Sequence, residues 1–251
     1  MREGVKDLLA GFEPVSLEEL DQRAALLRRI DNKYAVPWKS LEELAERLRR
    51  DHDVLEISGG RVFSYSTTYF DTPALRCFVD HVEGRIPRFK ARTRLYADSH
   101  DCVFEVKLKR SDDETDKRQI DYAENDRRHL TADALECVQT ALADAGLELE
   151  EELSATLTTS FDRITFAARD GSERLTCDLG VTVVGNGGRR AQLRSDLVLV
   201  ETKSENGKSP ADLELNRLEI ESISLSKYRV GMSLVGDAQQ HGAQPGSDLF
   251  E

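Results

Sequence analysis

The sequence predicts an α+β fold built on a large antiparallel β-sheet or barrel. Three observations predict it. Strand-period segments outnumber helix-period ones, most of them follow one another in hairpin-like succession, and no Gly-, Ser- or Pro-rich linker divides the 251 residues. A content of 39% hydrophobic and 33% charged residues is that of a globular chain long enough to bury a sizeable core.

Two helices open the chain. "SLEELDQRAALLRR" begins with Ser16 and Glu19 at capping-box spacing, and "SLEELAERLRR" repeats the signal with Ser40 and Glu43. In the second, Leu41, Leu44, Ala45 and Leu48 form one apolar stripe at helical period. Between them "RIDNKYAVP" reads as a strand ended by Pro37. From about residue 60 to 122 strands dominate: "RVFSYSTTYFDT", "RFKARTR", "VFEVKLK" and "KRQIDYA". A helix is expected from Thr131 to about Ala145, where Leu135, Val138, Ala141, Leu142 and Ala145 recur at spacings of three and four. Strands return at "LTTSFDRITFAA", "ERLTCDLGVTVV" and "DLVLVETK", with "GNGGRR" as a hairpin turn; it lacks the G-K-[ST] ending of a phosphate-binding P-loop. Ser209 followed by Pro210 marks another helix start. Residues 236–251 are polar and without period, which predicts a disordered tail.

Composition excludes several functions. The net charge of -12 argues against a general nucleic-acid binder. Neither a signal peptide nor a membrane-length apolar run is present, so a cytoplasmic protein without membrane insertion is expected. Cys77, Cys102, Cys137 and Cys177 are scattered and read as reduced structural thiols, and no histidine begins an H-x-H or H-E-x-x-H pattern.

Against this acidic total stands a row of cations. In "RFKARTR", Arg88, Lys90, Arg92 and Arg94 recur every second residue, so on a strand they share one face about 7 Å apart. Other strands behave alike. Glu105, Lys107 and Lys109 oppose Phe104, Val106 and Leu108; Arg29, Asp31 and Lys33 share a face; Glu201 and Lys203 point away from Val200 and Thr202; Arg163 and Asp178 add to the set. A wet sheet face usually mixes Thr, Ser, Gln and both charges, because neighbouring like charges repel. Acid-x-lysine recurs three times, at Asp31/Lys33, Glu105/Lys107 and Glu201/Lys203. If these strands curl with the charged face inward, the lumen can neutralise a polyanion, and its carboxylates Asp31, Glu105, Asp178 and Glu201 can hold a hard divalent ion. A phosphate chain with Mg²⁺ or Mn²⁺ is the natural occupant.

"RIDNKY", "STTYFDT", "RFKARTR", "FEVKLK", "FDRITF", "LTCDL", "LVETK" and "SKY", in that order, resemble the VTC domain, the polyphosphate polymerase domain of the vacuolar transporter chaperone complex within the triphosphate tunnel metalloenzyme (CYTH-like) superfamily. The resemblance runs from about residue 10 to 235. It implies an antiparallel barrel forming a basic tunnel that takes ATP or another triphosphate, and polyphosphate, with a divalent metal. Carried over by position, it implies Lys33, Lys90, Arg92, Arg94, Lys107, Arg163, Lys203 and Lys227 as phosphate-gripping residues, Glu201 as the metal-binding acid and Ser226 as a phosphate-contacting hydroxyl. Lys117 and Arg118 sit where the family places another basic strand. Two departures stand out: Ser224 where a lysine is common, and Asp31 where glutamate is usual. The family's inositol-phosphate-sensing module and membrane segment are missing from this sequence, so a free-standing catalytic domain is expected. The resemblance implies a polyphosphate polymerase; a metal-dependent triphosphatase, a non-catalytic polyphosphate binder and, with fewer acids than its chemistry typically uses, a nucleotide cyclase are the alternatives.

Overall fold

A computed structural model of the chain describes residues 4–23, 30–111 and 114–251, with eleven strands and seven α-helices among them. In chain order these are α1 (Val5–Leu9), β1 (Glu13–Val15), α2 (Leu17–Arg23), β2 (Ile30–Pro37), α3 (Trp38–Leu48), β3 (His52–Leu55), β4 (Phe63–Asp71), α4 (Arg76–Val82), β5 (Arg88–Tyr96), β6 (Asp101–Lys109), β7 (Thr115–Tyr122), α5 (Ala132–Ala143), β8 (Ser154–Ala168), β9 (Glu173–Gly185), β10 (Arg190–Gln192), β11 (Leu197–Ser204), α6 (Pro210–Arg217) and α7 (Lys227–Leu234).

The fold is α+β, on one sheet of strand order β2-β11-β9-β8-β4-β5-β6-β7, with β1, β3 and β10 off this path. All registered ladders are antiparallel except the short β1–β3 pair. The closed barrel expected from the sequence needs correcting: no described ladder joins β2 to β7. Both strands have the character of edges. β7 alternates between exposed and half-buried residues along its whole length, and β2 starts exposed and ends at Pro37, which has no N–H to donate.

The chain folds into two compact units, each assembled from segments far apart in sequence. Unit 1 comprises residues 1–63, 162–181 and 193–224. Its core forms where the apolar face of β2, β9 and β11 (Tyr34, Val36, Leu175, Cys177, Val198, Val200) meets Leu41, Leu44, Ala45 and Leu48 of α3 and Ala211 and Leu215 of α6. The α3 stripe read from the sequence is therefore the buried one, but the helix starts at Trp38 with no side-chain cap, so Ser40 is no N-cap. Ser16 and Glu19 do exchange capping-box hydrogen bonds at 3.1 and 3.2 Å, and Ser209 with Asp212 caps α6 in the same way.

Unit 2 comprises residues 64–161, 182–192 and 225–251. Phe89 and Ala91 of β5 and Phe104, Val106 and Leu108 of β6 cluster with Ala134, Val138, Ala141 and Leu142 of α5, whose N-cap is Thr131. Residues 236–251, for which composition predicts disorder, lie against this unit: Ala238 and Ser247 are buried, and Glu251 exchanges backbone hydrogen bonds of 2.7 and 2.8 Å with Gln192. The four cysteines are free thiols, and no helix among the described residues is long and apolar enough to cross a membrane.

Phe104 is fully buried at the centre of the unit 2 core, with its ring 5.9 Å from Phe70 and 5.6 Å from Tyr122. Phe104→Ala is expected to destabilise the protein by about 4 kcal/mol through lost burial and the cavity left behind, measurable as a shifted urea midpoint.

Candidate functional site

Strand β5 builds its cationic row by strict alternation: Phe89, Ala91, Thr93 and Leu95 are buried, while Arg88, Lys90, Arg92, Arg94 and Tyr96 are half-buried on the other face. Register extends that face sideways. Lys90 stands opposite Lys107 and Arg92 opposite Glu105 on β6, and these stand opposite Lys117 and Gln119 on β7. Lys109 pairs with Arg88 on the same face, and on the other side Thr67 and Tyr69 of β4 face Arg94 and Arg92. Seven cations thus share one side of unit 2.

Glu105 answers them. Its buried carboxylate receives Arg92 Nε at 2.7 Å and Lys117 Nζ at 2.5 Å, with an Arg94 guanidinium nitrogen at 3.6 Å. Burial by itself raises a carboxyl, but Arg92, Arg94 and Lys117 outweigh it and hold Glu105 down at about 2. Lys90 is placed differently. Burial pushes its ammonium well below the ordinary value, Lys107, Arg92 and Arg88 push it the same way, and its Nζ lies 3.5 Å from Ser226 Oγ.

Ser226 is also the N-cap of α7, accepting from the Arg229 N–H at 3.4 Å. The next residue, Lys227, holds its ammonium 4.8 Å from the centre of the Phe161 ring, a cation–π contact in the same unit. One turn of helix therefore brings Ser226 beside Lys90 and Lys227 over Phe161.

Unit 1 carries a smaller charged face. Lys33 of β2 stands opposite Glu201 of β11, and Asp31 opposite Lys203. The ammonium of Lys203 touches Glu201 and lies 3.6 Å from Asp31, while Lys33 lies 3.8 Å from Glu201. Burial lowers Lys33 from its ordinary value, with Asp31 pulling the other way. Arg163 of β8 clamps Asp178 of β9 in a two-pronged pair at 2.6 and 2.8 Å.

Most of the site residues expected from the sequence fall into these two sets. Lys90, Arg92, Arg94, Glu105, Lys107, Lys109, Lys117, Ser226 and Lys227 belong to unit 2, and Asp31, Lys33, Arg163, Asp178, Glu201 and Lys203 to unit 1. Arg29 lies outside the described residues. Arg118 is on the wrong face for a phosphate ligand: it pairs with Val106, so it shares the side of the α5 core, and its guanidinium meets Asp116 and Asp144. Among the acids, the buried pair Glu105 and Asp178 have their oxygens taken up by guanidinium and ammonium groups, which makes them counterions rather than free metal ligands. No three His, Cys, Asp or Glu side chains among the described residues assemble into a set able to hold a metal by itself. Glu201 and Asp31 are more exposed and present hard oxygens on one face, with Lys203 beside both and Lys33 beside Glu201 as their counterions.

Sequence reasoning missed two contributors. His81, in the last turn of α4, has a buried Nδ1 with no hydrogen-bond partner; burial, then Lys90, Arg229, Arg88 and Lys107, hold the ring down to about 3, so it is neutral at pH 7. Asp71, which ends β4, is fully buried and accepts from the N–H groups of Thr72, Cys77 and Phe78 at 2.8, 2.8 and 3.0 Å and from the hydroxyl of Tyr228. The only sequence signal for Asp71 was its place in "STTYFDT", ahead of a helix that begins five residues later.

The model of the VTC domain family matches residues 28–235. No curated protein matches the chain in sequence. Among solved structures, a Bacillus halodurans protein assigned as an adenylate cyclase superposes with a TM-score of 0.52 at 15% identity, covering 86% of this chain and 98% of its own. A Hippeastrum protein assigned as an adenylyl cyclase, and described as having a dominant triphosphatase activity, gives 0.53 at 16% identity, covering 82% and 96%. At these identities the similarity is one of fold.

Because Glu105 sits at about 2 in the folded protein against an ordinary 4.5, its contribution to stability is complete above pH 4.5 and lost as pH falls toward 2. Glu105→Gln is expected to cost about 3 kcal/mol at pH 7, since it strands the cations it serves, with the gap to wild type closing below pH 4.5. Thermal melts across that range check this, and a gap independent of pH would contradict the pairing.

Proposed function

The chain belongs to the VTC domain family, and from that premise we propose that it is a phosphotransferase that moves the terminal phosphoryl group of ATP onto a polyphosphate chain. The observation that carries this reading is the row Arg88, Lys90, Arg92 and Arg94 with Lys107, Lys109 and Lys117 on one face of unit 2. Such a row is costly when empty and fits a linear polyanion, whose repeating charges match a strand's repeating side chains.

Phosphoryl transfer is mainly positioning and charge stabilisation. A terminal oxygen of the chain forms the new bond to the γ-phosphorus as the bond from that phosphorus to the bridging oxygen breaks, and ADP leaves with that oxygen. Lys90, Arg92, Arg94 and Lys107 of unit 2 neutralise the equatorial oxygens as charge spreads over them; unit 1, taken by itself, offers Lys33, Arg163 and Lys203 as phosphate-binding cations. Lys109, Lys117, Ser226 and Lys227 of unit 2 grip further phosphates. Asp178 and Glu105 hold Arg163 and Arg92 in place, so less conformational freedom is lost when a substrate arrives. A divalent cation, Mn²⁺ or Mg²⁺, would be held by Glu201 with Asp31 and would supply charge neutralisation on the phosphate oxygens; the donor set fits an ion whose remaining ligands are phosphate and water.

A triphosphatase, with water as acceptor, is the second reading, favoured by the fold shared with the Hippeastrum protein described as having dominant triphosphatase activity. Incubation of purified protein with ATP and Mn²⁺, followed by gel separation, separates the two. Long polyphosphate together with ADP is the expected result. Orthophosphate alone overturns transfer in favour of hydrolysis, and absence of turnover with retained polyphosphate binding makes the domain a binder. Glu201→Gln is expected to reduce turnover at least tenfold and raise the Mn²⁺ concentration required; unchanged turnover and metal dependence would remove Glu201 from the site.

A further inference from the structure

The hydroxyl of Tyr228 and the carboxylate of Asp71 form a buried hydrogen bond beneath the first turn of α7. Asp71 is saturated: Oδ1 accepts from Thr72 and Cys77, and Oδ2 from Phe78 and Tyr228. Its partners come from two helices, since Cys77 and Phe78 open α4 and Tyr228 lies in the first turn of α7. The Tyr228 ring is wedged between Tyr69, at 4.9 Å, and Phe78, at 6.5 Å.

Helical geometry turns that anchor into control over the site. Successive residues rotate by about 100°, so Tyr228 and Ser226 project to opposite sides of the first turn. Fixing Tyr228 in the core fixes the phase in which Ser226 meets Lys90 at 3.5 Å and Lys227 covers Phe161 at 4.8 Å. A second fixing point lies further along the helix, where a Cβ at Gly231 would come within 2.5 Å of Leu157 Cδ2, so α7 sits against β8 with no room to rotate.

We propose that Asp71 and Tyr228 are positioning residues that set the register of Ser226 and Lys227 on the phosphate-binding face of unit 2, without touching the phosphate themselves. The inference rests on that face being the phosphate site. It gives the "STTYFDT" and "SKY" segments linked roles, in which the first supplies the anchor and the second carries both the anchored ring and the two residues it aims.

The test uses the full chain, inorganic tripolyphosphate as probe, and calorimetric binding. Tyr228→Phe keeps the ring and removes the hydroxyl; it is expected to weaken tripolyphosphate binding about tenfold and, in turnover assays, to raise KM more than it lowers kcat. In a Ser226→Ala/Lys227→Ala background the same substitution is expected to change affinity by less than twofold, because the residues it aims are gone. Equal losses in both backgrounds, or a lowered melting temperature with wild-type affinity, overturn the proposal. Gly231→Ala shifts α7 without altering the polar cluster and is expected to weaken binding in the same sense; wild-type affinity in that variant also counts against it. If wild-type protein fails to bind tripolyphosphate, the phosphate reading falls, and a crystal structure of Tyr228→Phe decides the rest. Ser226 Oγ displaced beyond hydrogen-bond reach of Lys90 upholds the positioning role, and an unmoved Ser226 ends it.

Discussion

Repulsion between like charges on the β5–β6–β7 face is the constraint around which unit 2 is organised. Seven cations are fixed by strand register at spacings where each feels its neighbours, and five of them, all but Lys107 and Lys117, are half-buried. The sheet tolerates this because it is anchored from behind. Phe89, Ala91, Phe104, Val106 and Leu108 bury the reverse face against α5, so no cation can turn away without dragging an apolar neighbour into water. In front, Glu105 is buried at the centre and shared among Arg92, Arg94 and Lys117. Burial first, and the surrounding cations second, lower both Lys90 and His81 from their ordinary values.

Much of this was legible because a strand encodes its two faces in alternate letters. "RFKARTR" and "VFEVKLK" need only a period of two to separate cations from core, and "LVETK" separates Glu201 and Lys203 from Val200 and Thr202 in the same way, as the register shows. Arg118 escaped because the charged loop before β7 leaves parity ambiguous: Lys117 and Arg118 are adjacent basic letters, and only the pairing of Lys107 with Lys117 shows which one shares the face. Sheet closure also escaped, since edge pairing depends on distant strands rather than on either strand's own pattern.

Two of the helices missed by the sequence reading, α4 and α7, failed it for a different reason. α4 has no side-chain bond from its N-cap residue; Thr72 Oγ1 accepts from the Arg76 N–H, and Asp71, at the end of a strand, accepts from those of Cys77 and Phe78. α7, "KYRVGMSL", is short, contains Gly231, and owes its place to Tyr228 and Met232 packing in the core. The stripe of α3 was read correctly and its start wrongly, because a Ser-x-x-Glu pattern also occurs inside a helix that Pro37 has already opened. Asp71 lies only a few residues before α4, but its role rests on a buried strand end and on Tyr228 far along the chain, which local letters do not report.

The four filled acceptor positions of Asp71 have an evolutionary consequence. Asparagine would bring an amide donor against N–H groups, and glutamate would overshoot by a methylene, so the position has no neutral neighbour in sequence space. Selection for folding alone would hold that aspartate and its tyrosine partner in a lineage that had abandoned catalysis.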